Sequence, residues 1–559
     1  MNSHRTHAAS STSIGPWAVV ATAWVAAVLL THPVTTGDTA DYVGSIASRL
    51  NGTDYNFWDF GHLLWRPIGA VLATVIRAVT GSSDLRTIAL QPLVLMNIVT
   101  SLGSAFFLLA TMRHLSLAGR WAIPLAIAFL LTQGVLDYGQ SGTAYVPGLF
   151  FLSMGLYFAV RGATSERWLL PCVGAGVSGA LAAALWLPYL FVIPALGVAA
   201  GWLGTGRGSQ PLLAVALGAT VTGAAVFAGI ALAIGVRTPA EFLAVLSAAS
   251  HGISGISGAP RAALGFGRSL LFVGDDGAIM RRYLEGDPYA PVSLARAAAT
   301  RIWLIGLIWL VGALVLFQLA RARQHRALLA VFAVAAIPIA IWAVAWQGGD
   351  IERYMPLYPF LFLLFAALLG MHAGARRTRI VLLVGLAFMA VNNVTGLSAI
   401  EAGSRRDAVA HRLEGLHGQV KDGDLLMVSH IQDDVLRLSN AFPLDPLVED
   451  LAPRIGYLVQ FGAPQVDTWR ESFAARVQIV WEGGAQVWIA SRLLEARPLP
   501  EWNWIEGSDP RVSWTDFPAF FSSFEFARSG GGDTFLLLEP TPANRSRIAA
   551  LASSAPPGS

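Results

Sequence analysis

Apolar runs of about 20 residues recur along this chain, separated by short polar connections, which is the rhythm a helix needs to cross a bilayer. About eleven such segments are expected, near 14–32, 87–111, 119–136, 143–160, 168–185, 187–203, 211–234, 300–320, 327–346, 355–371 and 379–397. One more apolar stretch, "LLWRPIGAVLATVI" (Leu63 to Ile76), is short and is punctuated by Arg66, Pro67 and Arg77. It is expected to lie in the membrane interface as an amphipathic helix. Beyond residue 400 the pattern changes. "RRDAVAHRLEGLHGQV" and "VDTWRESFAARVQIVWEGG" read as helices, and "DLLMVSH", "AQVWIAS" and "DTFLLLEP" read as strands. The expected fold is therefore mainly α: a polytopic helical membrane domain over 1–399 and a small α/β domain with a mixed sheet over 400–559.

Arginine positions test the span count. With the N-terminus inside, the short inner loops carry Arg113 and Arg120, Arg161 and Arg167, Arg207, the group Arg321, Arg323 and Arg326, and the group Arg376, Arg377 and Arg379. The short outer loops around Tyr138 and Trp186 carry none, as the positive-inside rule requires. The first apolar run, with no good small-x-small cleavage site after it, reads as an uncleaved anchor. An odd number of spans then leaves the C-terminal domain outside the cytoplasm. Two connections are long: 33–86, and 235–299. The second contains "SAASHGISGISGAPRAALGFGRS" and reads as a mobile outer loop.

Composition agrees: 54% of the 559 residues are hydrophobic and 13% charged, against about 25% charged in soluble domains. The expected location is the plasma or inner membrane, multi-pass and in contact with its lipids. The formal charge of +3 comes from scattered arginines, which form no basic stripe, so no nucleic-acid partner is expected. A single cysteine, Cys172, excludes an intrachain disulfide. Gly174-x-Gly176-x-x-Gly179 matches a dinucleotide fingerprint but lies inside an apolar span, where small residues serve close helix packing. Asn51-Gly-Thr53 is a formal glycosylation sequon. No HExxH or paired metal spacing occurs among the 11 histidines. No cofactor is implied, and a divalent metal is left open.

The candidate chemistry sits in the connection 33–86. Asp38 and Tyr42 are four residues apart and share a face if this stretch is helical; Asp41 stands between them, and Asp54, Asp59, His62 and Arg66-Pro67 follow. Asp137 and Tyr138 lie in the next outer loop, and "ERYMPLYPF" places Glu352, Arg353 and Tyr354 at the outer boundary of a later span. Carboxylates near a membrane are costly and often mark function. A purely solvated acidic loop is the competing reading. Asp275 and Asp276 read as solvated, and the Trp-Asn-Trp at 502–504 as domain core.

This layout resembles the GT-C superfamily of membrane glycosyltransferases, and within it the branch of protein O-mannosyltransferases and lipid A aminoarabinose transferases. The similarity runs over about 400 residues in pattern, rests on few specific positions, and includes Asp38, Tyr42, Arg66-Pro67, "LDYGQSGTAYVPGLFF" and "ERYMPLYPF". Thr39 stands where the family has a second acid. The resemblance implies an inverting transfer of sugar from a polyprenyl-phosphate donor to an extracytoplasmic lipid, glycan or protein. Asp38 would be the base, with Asp41 the second choice. Arg66 and Arg353 would hold the donor phosphate, while Tyr42, His62, Asp137, Tyr138, Glu352 and Tyr354 would contact substrate. A transporter or flippase for a lipid-linked substrate, or a non-catalytic protein of the same fold, are the alternatives.

Overall fold

The structure is a computed structural model. It describes residues 15–33, 38–52, 57–59, 61–204, 208–241, 259–274, 276–285, 291–345, 348–371, 375–413, 416, 418–429, 451, 454–459, 468–496, 512–528 and 535–553. Asp54, Asp275 and the tryptophans of 502–504 lie outside the described residues.

The chain runs through α1 (Gly15–Leu30), α2 (Thr39–Leu50), α3 (Trp65–Thr80), α4 (Leu85–His114), α5 (Ala122–Leu130) and α6 (Gln133–Tyr138). It continues through α7 (Tyr145–Thr164), α8 (Leu169–Leu185), α9 (Ile193–Trp202), α10 (Gln210–Ala233), α11 (Ala259–Leu270), α12 (Asp276–Glu285) and α13 (Leu294–Ala298). The last helices of this region are α14 (Trp303–Arg321), α15 (Arg326–Ala345), α16 (Tyr358–Gly370) and α17 (Arg376–Gly396). Among the described residues, seven are long and apolar enough to cross a membrane: α4, α7, α10, α14, α15, α16 with the 3-10 turn before it, and α17. Four shorter apolar helices, at Gly15–Leu30, Gly119–Leu130, Leu169–Leu185 and Leu187–Trp202, fill the other expected positions. The chain is a polytopic helical membrane protein.

Leu63 to Ile76 falls largely in α3, which is not among the described helices long and apolar enough to cross a membrane. In α3 the residues Trp65, Arg66, Gly69 and Ala73 face inward, while Val71, Val75 and Val79 are exposed one turn apart. That two-faced pattern suits a helix lying on the membrane rather than through it. Gly81, in the left-handed region at φ 66°, ends the helix. The α2–α3–α4 contact is a core of its own, built on Tyr42, Val43, Ile46, Trp65, Ile88 and Leu93.

The dinucleotide-like glycines sit in α8. A Cβ on Gly176 would collide with the carbonyl of Val215 in α10, and one on Gly218 with the carbonyl of Val173. Their role is backbone approach between two helices.

The stretch read as a mobile loop needs correcting where it is described. Residues 259–270 form α11, with Ala262, Leu264, Gly265 and Gly267 buried. A Cβ on Gly265 would meet the Gly348 carbonyl, and one on Gly267 the Ile305 side chain. Glycine here permits close packing, which sequence composition alone does not separate from mobility. Asp276, expected to be solvated, accepts hydrogen bonds from Arg301 N (2.9 Å) and Arg301 Nε (3.0 Å).

The C-terminal region starts with α18 (Ala399–Leu413) and carries a mixed five-stranded sheet: β1 (Leu425–Val428), β2 (Ile455–Tyr457), β3 (Val487–Ala490), β4 (Phe526–Arg528) and β5 (Phe535–Leu538). The order is β2-β1-β3-β5-β4, with β1 parallel to β2 and β3, and β5 antiparallel to β3 and β4. Trp469, Phe473 and Val477 of α19 (Trp469–Glu482) belong to the buried core that includes the β1 and β3 side chains. The three expected strands are β1, β3 and β5. The short strands β2 and β4, three residues each, give too little alternation to be read from sequence.

Candidate active site

Asp38 occupies the N-cap of α2, yet its carboxylate does not cap the helix. It accepts instead from two phenols, Tyr42 (3.3 Å) and Tyr145 (3.2 Å), both on Oδ2. One helical turn carries Tyr42 over Asp38, as the four-residue spacing requires. His62 Nε2 stands 3.8 Å from the same oxygen, and the Asp38 side chain is 55% exposed. A carboxylate fixed by one oxygen and open to solvent is suited to take a proton from a bound group.

Thr39, where the resembling family has an acid, is buried and donates to the Ser141 carbonyl (2.7 Å). Trp65 Nε1 donates to the neighbouring Gly142 carbonyl (3.0 Å), and Asn97 Nδ2 to that of Tyr138 (2.7 Å). Carbonyls only accept, so an ionised acid at position 39 could not replace the hydroxyl in this bond. The hydroxyl instead clamps the 138–145 connection under α2. Gly142 turns there at φ 86°.

Arg66 is 2% exposed and bracketed by two carboxylates. Its Nη2 donates to Asp41 Oδ2, its Nη1 lies 3.1 Å from Asp59 Oδ2, and its guanidinium stacks over the Tyr42 ring at 5.0 Å. Burial weakens the Arg66 cation, but Asp41 and Asp59 outweigh it and raise its pKa. Burial likewise opposes the Asp59 anion, yet His62, Arg66 and the Gly61 N–H lower its pKa below 3.8. Burial, with Asp38 beside it, pushes the Tyr42 phenol well up, so it remains a donor. Arg66 is thus neutralised within the protein, and Asp41 is committed to it.

His62 lies 3.2 Å through Nδ1 from the Leu185 carbonyl, so Nδ1 carries the proton in the neutral ring. Burial lowers the His62 pKa below its ordinary 6.5, against the pull of Asp59 and Asp38. The unfolded chain therefore binds this proton more readily than the folded one. The stability contributed is full above pH 6.5 and is lost as pH falls through the folded value. Thermal unfolding midpoints in detergent are expected to drop on acidification below pH 6.5, with a shallower acid limb in His62→Gln. An equally steep limb in that variant would assign the loss to other groups.

The later candidates come in from the other side. Tyr138 donates to Glu352 Oε2 (2.8 Å), and Glu352 Oε1 lies 3.8 Å from Arg353 Nε. Arg353 Nη2 donates to Asp350 (3.3 Å), and the guanidinium stacks on Trp342 at 4.8 Å. Tyr145 joins the two halves: its hydroxyl reaches Asp38 and its ring meets Tyr138 edge-on at 4.9 Å. Asp137 is fully buried beneath them. Tyr354 is not part of the set, because its hydroxyl donates to the Ala262 and Gly348 carbonyls (2.7 Å each). Tyr145, Asp350 and Trp342 were not singled out from the sequence. They come from different connections, and no spacing signals their meeting.

Beside the Glu352–Arg353 turn lies an almost wholly apolar cavity of about 1090 Å³ between α11, α14, α15, α16 and α17. Tyr354, Leu357, Phe266, Trp309 and Phe365 are among its walls. Among the described residues, no three His, Cys, Asp or Glu side chains gather as a metal site.

The chain is similar to the solved structure of ArnT from Cupriavidus metallidurans bound to undecaprenyl phosphate, with 12% identity, 95% of this chain and 98% of that chain covered, and a TM-score of 0.49. It is also similar to the oligosaccharyltransferase AglB from Archaeoglobus fulgidus in complex with an inhibitory peptide and a dolichol-phosphate, with 12% identity, 94% and 74% coverage, and a TM-score of 0.44. No family model matches the sequence. No curated protein matches it either.

Proposed function

We propose that this protein is an inverting membrane glycosyltransferase of the GT-C type, moving a sugar from a polyprenyl-phosphate donor to an acceptor outside the cytoplasm. One observation carries the reading: an exposed, phenol-held carboxylate and a buried arginine lie on either side of the Tyr138–Tyr145 pair, and the turn that carries the arginine borders a large apolar cavity. A polyprenyl-phosphate sugar has a chain for such a cavity, a phosphate for an arginine, and an anomeric carbon for attack near a base. In the transfer, the anomeric carbon–oxygen bond to phosphate breaks and its electron pair leaves with the phosphate. The acceptor oxygen or nitrogen forms the new bond from the opposite face, and its proton passes to Asp38. Arg353 faces the growing phosphate charge. Direct displacement inverts the anomeric centre. Asp41, Asp59 and Arg66 hold the loop that carries Asp38. In this reading the 33–86 connection and residues 400–559 lie outside the cytoplasm.

The test uses the full chain in nanodiscs with a polyprenyl-phosphate-linked sugar and a cell-envelope extract as acceptor source. Release of polyprenyl phosphate with sugar appearing on an acceptor is the expected result. Movement of the intact lipid between leaflets of a vesicle, without cleavage, would instead establish a flippase.

A further inference from the structure

Arg353 is held by two carboxylates that differ in how firmly they are fixed. Glu352 is buried, and its second oxygen is tied to the Tyr138 hydroxyl at 2.8 Å. Asp350 lies just before the 3-10 turn, in extended backbone, with its side chain 47% exposed. Its carboxylate makes one hydrogen bond among the described residues, the 3.3 Å contact to Arg353 Nη2. A phosphate bound at Arg353 Nη2 would compete with the more exposed Asp350 carboxylate for that group.

We propose that Asp350 is a displaceable counter-ion: the lipid phosphate replaces it on Arg353, and its return expels the product. This rests on the donor assignment above. The chemistry gives the displacement a direction. The donor is a phosphodiester with one negative charge. Bond cleavage leaves a monoester, whose charge near neutral pH is about −1.5 to −2. The product therefore repels the Asp350 carboxylate more than the donor does. Asp350 weakens binding of both and weakens the product more, which lets it leave.

The experiment measures binding of a short-chain polyprenyl phosphate to the full chain in nanodiscs, together with single- and multiple-turnover rates. Asp350→Asn removes the competing charge with little change of shape, and is expected to lower the dissociation constant for this product about tenfold. Multiple turnover should slow more than single turnover, because release becomes limiting. Asp350→Glu keeps the charge and should bind as the parent does. A dissociation constant that stays the same or rises in Asp350→Asn, while Arg353→Ala weakens binding, overturns the counter-ion and leaves the proposed function standing. Unchanged binding in Arg353→Ala removes the phosphate from Arg353, and the counter-ion with it.

Discussion

Asp38→Asn is expected to lower sugar transfer by about 10²- to 10⁴-fold, the range a positioned general base supplies. The substitution keeps the side-chain size and an oxygen that accepts from a phenol, so the Tyr42 and Tyr145 contacts survive at least in part. It removes the second, solvent-facing oxygen as a proton acceptor. Donor binding should change little, because the phosphate is assigned to Arg353 on the far side of the Tyr138–Tyr145 pair. The loss should therefore appear in kcat rather than KM. Asp41→Asn is the control. Asp41 pairs with buried Arg66, so its loss should lower the unfolding midpoint and reduce transfer far less than Asp38→Asn. Near-normal turnover in Asp38→Asn, or an equal kinetic loss in both variants, would move the base elsewhere.

The two parts of the site were not equally legible in the sequence. The Asp38–Tyr42 contact is local, since residues four apart on a helix must meet. The apolar spans follow from hydropathy, and the separation of α3 from them follows from Arg66, Pro67 and Arg77 interrupting a short apolar run. What the sequence hid is long-range. Tyr145 reaches Asp38 across 107 positions, and Tyr138 reaches Glu352 across 214. Neither pair has a periodicity. The sequence also placed Arg66 and Arg353 at one level without showing their partners. Each turns out to be bracketed by two carboxylates, Asp41 and Asp59 for one, Glu352 and Asp350 for the other. Tyr354 and Leu357, on the 3-10 turn that carries Arg353, line the cavity, and none of the described residues of 38–66 does. That asymmetry is why the phosphate is assigned to Arg353 and the loop-holding role to Arg66.

Arg353→Ala is expected to cost about 10²- to 10³-fold in kcat/KM, the loss that follows removal of a preorganised charge-stabilising donor. Both KM and kcat should suffer. The phosphate is charged in the donor and more strongly charged in the transition state, so one guanidinium serves binding and chemistry together. The variant has a structural cost that must be separated from the functional one. It leaves Glu352 buried without its cation, and an unpaired buried carboxylate destabilises a fold by several kcal/mol. Glu352→Gln combined with Arg353→Ala removes that charge while leaving the Tyr138 hydroxyl an acceptor. The double variant should recover the unfolding midpoint and stay as inactive as the single one. Arg353→Lys separates charge from shape. It keeps a cation but gives up the planar fork that spans Glu352 and Asp350 and stacks on Trp342. Its activity should fall between the parent and Arg353→Ala. If the double variant regains transfer along with stability, Arg353 only balances Glu352, and the donor phosphate is held by another group.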